Sequence, residues 1–143
     1  VYKPQKNPHY QRRLLAGIEA GGKPILATGR VGMKAMVRHL CNGGIISILL
    51  DEKYSEGERL PFLGLPAMTS ISAAQLALKY GLPMVPAYGI RLGDGGRFEV
   101  AFEAPIPHTD PVTMTQAFND SLSARIEADP AQWYWLLRRW DGA

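Results

Sequence analysis

The sequence predicts an α/β fold, a layered mixed sheet flanked by helices, and three observations support this prediction. Two continuous apolar runs, 45–50 and 84–90, are of strand length and show no polar alternation. Such runs are typical of strands buried on both faces of a sheet. A third segment, 98–102, follows a glycine-rich hairpin loop and alternates in polarity as an antiparallel edge strand does. Helical patterns before, between and after these segments complete the layers.

The composition is that of an ordinary globular domain. With 143 residues, 46% of them hydrophobic, the chain is long enough for one core, and residues 1–143 are interpreted as a single domain. The net charge of +3 favours anionic partners without choosing among nucleic acid, anionic lipid and an acidic carrier protein. The single cysteine excludes an internal disulfide and any cysteine-based zinc site. No apolar run approaches the roughly 20 residues of a membrane span.

The clearest helix is predicted over 31–42. Met33, Met36, Leu40 and Cys41 recur there with helical spacing and share one face. Cys41 is therefore interpreted as a core residue and not as a nucleophile.

Two helix starts follow from capping residues. Asn7 stands before Pro8, and Asp110 stands before Pro111, so each pair offers a side-chain cap followed by proline in the first turn. The alanine-rich segment 70–80 is predicted to form a further helix between them, ended by a glycine.

The residues after the first apolar run are candidates for chemistry. Asp51 opens a run of three charges at the carboxyl end of the predicted strand, where open α/β sheets bind ligands. Arg59, Arg91 and Lys3 are able to hold phosphate or carrier-protein charges. The alternative interpretation of this stretch is purely structural: a strand, a solvated loop and an apolar turn.

The sequence argues against several kinds of site. The three histidines are scattered without metal-ligand spacing, so no metal site is predicted. No glycine-rich phosphate loop and no G-x-S-x-G elbow is present. Basic residues and aromatics meet only in the short tail, so nucleic-acid binding is not predicted.

The C-terminal tail leaves two interpretations open. A D-x-x-Q capping box at 129–132 predicts a last short helix. In one interpretation its aromatic and basic side chains lie at the headgroup level of a bilayer, with Trp133, Trp135 and Arg138 facing the membrane. In the other, the indoles pack on the core while Arg138 and Arg139 are solvated.

Four segments, in order and with matching spacing, resemble the lipid A biosynthesis (lauroyl/myristoyl) acyltransferases. Residues 2–8, Y-K-P-Q-K-N-P, resemble the Y-R-P-x-x-N-P of that family. Residues 51–69 resemble its D-x-x-x-x-x-G followed by V-P-F-F-G-x-P-A-x-T. Residues 85–91 resemble V-P-x-x-x-x-R, and residues 130–140 resemble P-E-Q-W-x-W-x-H-R-R-W. The resemblance covers essentially the whole chain.

The resemblance implies the C-terminal part of the glycerol-phosphate/lysophospholipid acyltransferase fold. It implies transfer of a fatty acyl chain from acyl-carrier protein to a hydroxyl of a lipid A precursor, at the cytoplasmic face of the inner membrane, without a cofactor. Within it, Asp51 is expected to be catalytic. The residues expected to bind substrate are Lys3, Arg59, Phe62, Thr69 and Arg91.

The chain departs from the family pattern in ways that leave a second hypothesis open. It contains no His-x-x-x-x-Asp/Glu, the motif that supplies the general base, and this motif is expected to precede Val1 in a longer protein. Lys3, Ala20 and Leu137 stand where the family has Arg, Arg and His. The alternative is a non-catalytic module that binds an anionic membrane surface or a carrier protein. An unpaired sheet edge also predicts association with a second copy.

Overall fold

The structure, a computed structural model, describes residues 1–2, 4–93 and 95–140. The chain divides into two compact units, Val1–Ile48 and Leu49–Ala143. Helices and strands are both present, so the predicted α/β class is confirmed. A single domain over 1–143 stays a prediction.

The first unit contains helices α1 (Pro8–Ala20) and α2 (Arg30–Cys41). Asn7 caps α1 as predicted: its side-chain oxygen accepts hydrogen bonds from two backbone N–H groups of the first turn, at 3.0 and 3.2 Å. The N-terminal segment is tied to the loop between the helices by a parallel bridge that joins Tyr2 and Ala27.

Helix α2 buries a narrower face than predicted. The buried line runs through Gly32, Met36 and Leu40, four residues apart, and Gly32 has no room for a side chain because the carbonyl oxygen of Ala27 lies 1.5 Å from its Cβ position. Cys41 is exposed, so its assignment to the core was wrong. Successive helical residues are rotated by roughly 100°, which turns Cys41 away from the line that ends at Leu40.

The predicted strand over 45–50 is not formed. Residues 44–50 belong to no helix or strand, and Ile45 is 91% exposed, although Leu50 is buried. An apolar run becomes a buried strand only where neighbouring strands hydrogen-bond to it, and none of the described strands does so.

The second unit contains two antiparallel hairpins. Strand β1 (Glu58–Phe62) pairs with β2 (Leu65–Thr69), and β3 (Ala87–Arg91) pairs with β4 (Phe98–Phe102). The β3–β4 hairpin lies where the glycine-rich loop predicted it. Within the described residues, each hairpin is a separate two-stranded sheet, so the predicted mixed sheet is replaced by two antiparallel pairs.

The turn between β1 and β2 depends on backbone conformations that favour glycine. Leu63 and Gly64 have φ of +48° and +76°. A two-residue hairpin turn of type I′ requires positive φ at both of these positions. Gly57, just before β1, has φ of +152°, and its Cβ position lies 2.2 Å from the carbonyl oxygen of Thr69. A side chain at Gly57 would therefore clash with the backbone of β2.

Helices α3 (Ser72–Tyr80) and α4 (Pro111–Ala128) complete the second unit. Gly81 ends α3 in the left-handed conformation and the carboxylate of Asp110 caps α4, both as predicted. The side chains that α4 buries are Met114, Thr115, Asn119, Leu122 and Ile126.

Helix α4 contributes to both hydrophobic clusters of this unit. The first cluster consists of Phe62, Ala67, Leu122, Ile126 and Trp133. The second consists of Ala74, Ala77, Ile106 and Met114. Helix α4 therefore holds the β1–β2 hairpin through one cluster and α3 through the other.

The predicted last helix is replaced by one 3-10 turn, Pro130–Gln132, followed by turns and bends. The side chain of Asp129 makes no capping bond. The amide of Gln132 instead exchanges two 3.1 Å hydrogen bonds with the backbone of Arg91 and so joins the tail to β3. None of the described helices is long and apolar enough to cross a bilayer.

Candidate functional site

Arg139 is the one charged side chain that the described residues bury, with 1% of its surface exposed. Its Nη1 donates to the carbonyl oxygen of Met68 at 2.5 Å, and its Nη2 donates to Oγ1 of Thr69 at 2.6 Å. Its guanidinium carbon lies 5.1 Å from the centre of the Phe62 ring, a cation–π contact. It forms no ion pair with a described residue, so neutral dipoles and one aromatic face surround its charge.

Thr69 and Asn119 extend this buried polar centre to three other elements. The hydroxyl of Thr69 donates to the carbonyl oxygen of Ala67 at 3.0 Å and accepts from Arg139 and from Nδ2 of Asn119, the latter at 3.4 Å. Asn119 also donates to the carbonyl oxygen of Pro61 at 3.1 Å. We call Arg139, Thr69 and Asn119 the Arg139 centre; it joins the tail, both strands of the first hairpin and α4.

Asp51 begins a bent segment of the same unit, residues 51–54, which we call the Asp51 turn. Its side chain is half-buried and follows the buried Leu50. The Tyr54 hydroxyl donates to the carbonyl oxygen of Leu49 at 2.6 Å and closes the turn. Asp51 therefore lies on a short segment whose two ends are fixed.

The Asp51 turn and the Arg139 centre act on one another electrostatically. Burial lowers the pKa of Arg139 from its ordinary value, and the negative charge of Asp51 opposes that shift. Burial raises the pKa of Tyr54, and the carboxylates of Glu52 and Asp51 raise it further, whereas Arg139 lowers it. The phenol thus stays protonated and able to donate to the backbone.

Phe62 and Thr69, expected to bind substrate, are both used inside the protein. The ring of Phe62 stacks on Trp140 and meets Trp133 edge-on, each at a centroid distance of 5.6 Å. The Thr69 hydroxyl already has its proton and its acceptor positions engaged by the Arg139 centre. A substrate-binding role for either stays a prediction.

The three basic residues predicted to bind substrate have different placements. Lys3 lies outside the described residues. Arg59 is exposed on β1. Arg91 is exposed at the end of β3, where its guanidinium carbon lies 4.6 Å from the centre of the Phe98 ring. Asp51 and Arg91 share no hydrogen bond or ion pair among the described residues, so a cleft common to both stays a prediction.

The tail divides between the two interpretations that the sequence leaves open. Trp133 is 9% exposed and packs in the first cluster, so it does not face outward as predicted. Trp135 is 51% exposed and Arg138 is also exposed. Arg139, solvated in the second interpretation, is buried because β2 offers it two acceptors.

A second polar network joins the β3–β4 hairpin to α4. Arg125 binds Glu103 through Nε and Nη2, both at 2.8 Å, and the Ser121 hydroxyl donates to the other carboxylate oxygen. Because that hydroxyl has one proton, the Tyr88 hydroxyl donates to Ser121, at 2.8 Å. The pKa of Glu103 is lowered, chiefly by the hydrogen bond from Ser121; burial opposes this shift, and the hydrogen bond and charge of Arg125 add to the lowering.

This second network borders an open cavity of about 520 Å³. Its lining residues are Glu103, Ser121, Ala124, Arg125 and Ala128. None of them was predicted to belong to a site. A carboxylate held ionised by a guanidinium and a hydroxyl is a weak base, so we assign this network to joining elements and not to proton transfer.

Asn119 and Gln132 are residues whose roles the sequence analysis missed. Asn119 falls on the buried stripe of α4, three residues before Leu122 and seven before Ile126, and a polar residue there signals a buried hydrogen bond. Gln132 carried no such signal, because its partner on β3 is distant in sequence.

The arrangement around Asp51 is able to orient a hydroxyl. A half-buried carboxylate accepts a hydrogen bond from an alcohol and attracts positive charge. No group of three or more histidine, cysteine or acidic side chains that could hold a metal ion occurs in the part of the chain that the structure describes.

Comparison with known proteins gives the family. Residues 1–141 match the family described as bacterial lipid A biosynthesis acyltransferase. The chain belongs to this family. The resemblance carried by the four segments is thereby confirmed, and the match to the acyltransferase family includes both the Asp51 turn and the Arg139 centre.

Two curated acyltransferases show the extent of the likeness. Both are phosphatidylinositol mannoside acyltransferases of Mycobacterium tuberculosis, from strains CDC 1551 / Oshkosh and ATCC 25618 / H37Rv. Each is 25% identical over 118 residues, which cover 82% of this chain. The same alignment covers 37% of each relative, so the chain spans well under half of their length.

Proposed function

We propose that this chain is part of an acyltransferase that moves a fatty acyl chain from acyl-carrier protein to a hydroxyl of a lipid A precursor. The family match over residues 1–141 is the observation that supports this proposal. The name of the mycobacterial relatives supports the same class of reaction with a different acceptor. The reaction is placed at the cytoplasmic face of the inner membrane, with the protein bound to the membrane surface.

Asp51 is assigned to orienting the acceptor hydroxyl. In acyl transfer from a thioester, the hydroxyl oxygen bonds to the acyl carbon, the carbon–sulfur bond breaks, and the hydroxyl proton passes to a base. The sequence contains no His-x-x-x-x-Asp/Glu to act as that base. The half-buried position of Asp51, on a turn closed by Tyr54 and near the charge of Arg139, suits an orienting group.

Arg59 and Arg91 are assigned to binding anionic groups of the donor or acceptor, together with Lys3. The backbone of Arg91 is fixed by the two hydrogen bonds of Gln132, so its guanidinium extends from a fixed point. A guanidinium binds phosphate through two parallel donors, which suits the phosphorylated arm of a carrier protein or a sugar phosphate.

A second candidate is a module that binds an anionic surface or a carrier protein without catalysis. The exposed Tyr134, Trp135 and Leu136 beside Arg138 favour this candidate. It differs from the first in one outcome, because it binds without turnover.

The test is acyl transfer by the complete gene product that carries this chain. Purified protein is incubated with acyl-carrier protein bearing a labelled acyl chain and with a lipid A precursor, and the lipid is analysed by mass spectrometry. The account expects an acceptor heavier by one acyl group. A phosphatidylinositol mannoside serves as the comparison acceptor. Folded protein that binds vesicles or carrier protein but forms no acylated product with either acceptor contradicts the enzyme and supports the binding module.

A further inference from the structure

The β3–β4 hairpin presents an apolar face to solvent. Phe98, Val100 and Phe102 alternate along β4 and are 56%, 58% and 72% exposed. Their partners in the register are Arg91, Gly89 and Ala87, which are exposed on the same side. We call these six residues the β3–β4 outer face.

The opposite side of the same hairpin is the one that packs on the protein. Tyr88 stacks on Phe118 of α4 at a centroid distance of 6.4 Å and hydrogen-bonds to Ser121. The residues that alternate with the outer face on β3, Tyr88 and Ile90, are half-buried. Strand β4, unlike β3, therefore turns its larger apolar side chains outward, the reverse of the usual arrangement in a water-exposed antiparallel sheet.

The space above the outer face is open. A Cβ placed on Gly89 would have no atom within 4 Å, although Gly89 lies in the middle of β3. The described residues place the Arg91 guanidinium over the Phe98 ring and leave Val100 and Phe102 exposed. Contiguous apolar surface of this kind marks an interaction site in a folded protein.

The tail is hydrogen-bonded to one end of this hairpin. Gln132 is hydrogen-bonded to the backbone of Arg91, the last residue of β3. The indole of Trp135 folds back on the same 3-10 turn and donates to the carbonyl oxygen of Pro130 at 2.7 Å. Tyr134, Trp135 and Leu136 are all more than half exposed.

The exposed charges that the structure describes at the end of the hairpin and in residues 134–140 of the tail are positive. Arg91, Arg97 and Arg138 are exposed at the end of the hairpin and in the tail. The Arg91 guanidinium lies over the Phe98 ring, so the apolar ring and the charge are presented together. Glu99 alternates with Phe98 and Val100 and therefore points to the other side of β4.

We propose that the β3–β4 outer face docks on an anionic lipid surface, with Trp135 and its neighbours at the same depth. This inference rests on the membrane location in the proposed function and assigns the docking to a particular face. Apolar and aromatic side chains enter the boundary between headgroups and acyl chains, while the arginines meet lipid phosphates. Charge complementarity favours lipid over a neutral apolar partner.

The test is co-sedimentation of the 143-residue chain with vesicles of phosphatidylcholine alone and of phosphatidylcholine with phosphatidylglycerol. The wild type is expected to bind the mixed vesicles more strongly. Phe102→Asp is expected to weaken that binding roughly tenfold, because a carboxylate replaces an apolar side chain that is buried on docking. The matched control is Leu65→Asp. Leu65 is also an exposed apolar residue of a strand, but it lies in the other hairpin, so this variant is expected to bind as the wild type does.

A gentler pair of changes, Val100→Thr with Phe102→Thr, keeps the β propensity of β4 and is expected to weaken binding in the same sense. Wild-type protein that sediments with neither vesicle overturns the proposal, as does equal binding by wild type and Phe102→Asp. If Trp135→Ser loses binding while Phe102→Asp keeps it, the tail binds lipid without the hairpin, and this result also overturns the proposal. A dimer that Phe102→Asp dissociates in light scattering shows that the face binds a second copy and also overturns the proposal. Acyl transfer to detergent-dispersed acceptor in the complete gene product, measured in parallel, reports on the proposed function separately.

Discussion

At the scale of single residues, Arg139 is the side chain on which the second unit most depends. Its guanidinium is buried and has no carboxylate partner among the described residues, so its desolvation is offset by hydrogen bonds to Met68 and Thr69 and by the ring of Phe62. Removing a charged donor from buried acceptors costs more than removing a neutral one, because the acceptors remain buried.

Arg139→Ala is therefore expected to lower the free energy of unfolding by about 3 kcal/mol. The adjacent Arg138 is exposed, and Arg138→Ala is expected to change it by less than about 0.5 kcal/mol. Urea denaturation followed by tryptophan fluorescence measures both. Equal stability of the two variants would show that the buried guanidinium contributes nothing net.

Glu103 gives the fold a dependence on pH. Its pKa is lowered in the folded protein, so the stability it supplies is fully present above the unfolded value, about 4.3 for a glutamate, and is lost as the pH falls through the lower folded value. Glu103→Gln is expected to destabilise the protein by about 1 kcal/mol at neutral pH, and this effect is expected to shrink as the pH falls below the unfolded value.

The measurement is a series of urea denaturations between neutral pH and about pH 3. Glu99→Gln, which changes an exposed glutamate of the same hairpin, is the control and is expected to have the same pH dependence as the wild type. A Glu103→Gln deficit that stays constant over this range contradicts an ionised clamp.

At the scale of elements, the two hairpins differ in what their glycines do. Gly64 has φ of +76° at the turn between β1 and β2, whereas no left-handed φ occurs at Gly89, inside β3. Neither glycine has an atom within 4 Å of its Cβ position, so a methyl group would fit at both sites without a clash.

Gly64→Ala is expected to lower the free energy of unfolding by about 1 kcal/mol, because alanine is strained at positive φ. Gly89→Ala is expected to be neutral or slightly stabilising, since alanine in an ordinary strand conformation reduces the entropy of the unfolded chain. Thermal unfolding of the two variants makes the comparison. A larger loss at Gly89 would mean that the φ-based argument is wrong.

The capped helix ends and the β3–β4 hairpin could be predicted from the sequence, and the rest of the sheet structure could not. Asn7, Gly81 and Asp110 act on backbone groups within a few residues, so the sequence alone indicated where α1 and α4 begin and where α3 ends. The strand expected over 45–50 needed partners from elsewhere in the chain, which no local pattern specifies. The capping box at Asp129 was wrong for the same reason, because Gln132 bonds to β3 instead.

At the scale of the whole molecule, four segments in order were sufficient to predict the family, and the match over 1–141 confirms it. The site was less predictable. Asp51 and Arg91 came from the motif, but the burial of Phe62, Thr69 and Trp133 follows from packing against α4 and the tail. Arg139 carries the same charge as Arg138, and only the position of β2 decides which of them is buried.

Association with a second copy also belongs to this scale and stays a prediction. Among the described residues, each strand is paired with another strand on one edge only. The other edge is free to pair with a strand of a second copy. Light scattering of the chain at high concentration measures it. A monomer at every concentration would contradict edge pairing. It would leave the lipid proposal unchanged, because that proposal concerns a face of the hairpin and not a strand edge.

The central claim is that the Asp51 turn belongs to the site of acyl transfer. The measurement is turnover of acyl-carrier protein and lipid A precursor by the complete gene product, comparing wild type, Asp51→Asn and Asp129→Asn. Asparagine keeps the shape and removes the charge, and the exposed Asp129 makes no capping bond, so it is the matched control. The account predicts that turnover falls by roughly a hundredfold in Asp51→Asn alone, with unchanged unfolding. Equal turnover in all three proteins would contradict it and leave Asp51 as part of the scaffold.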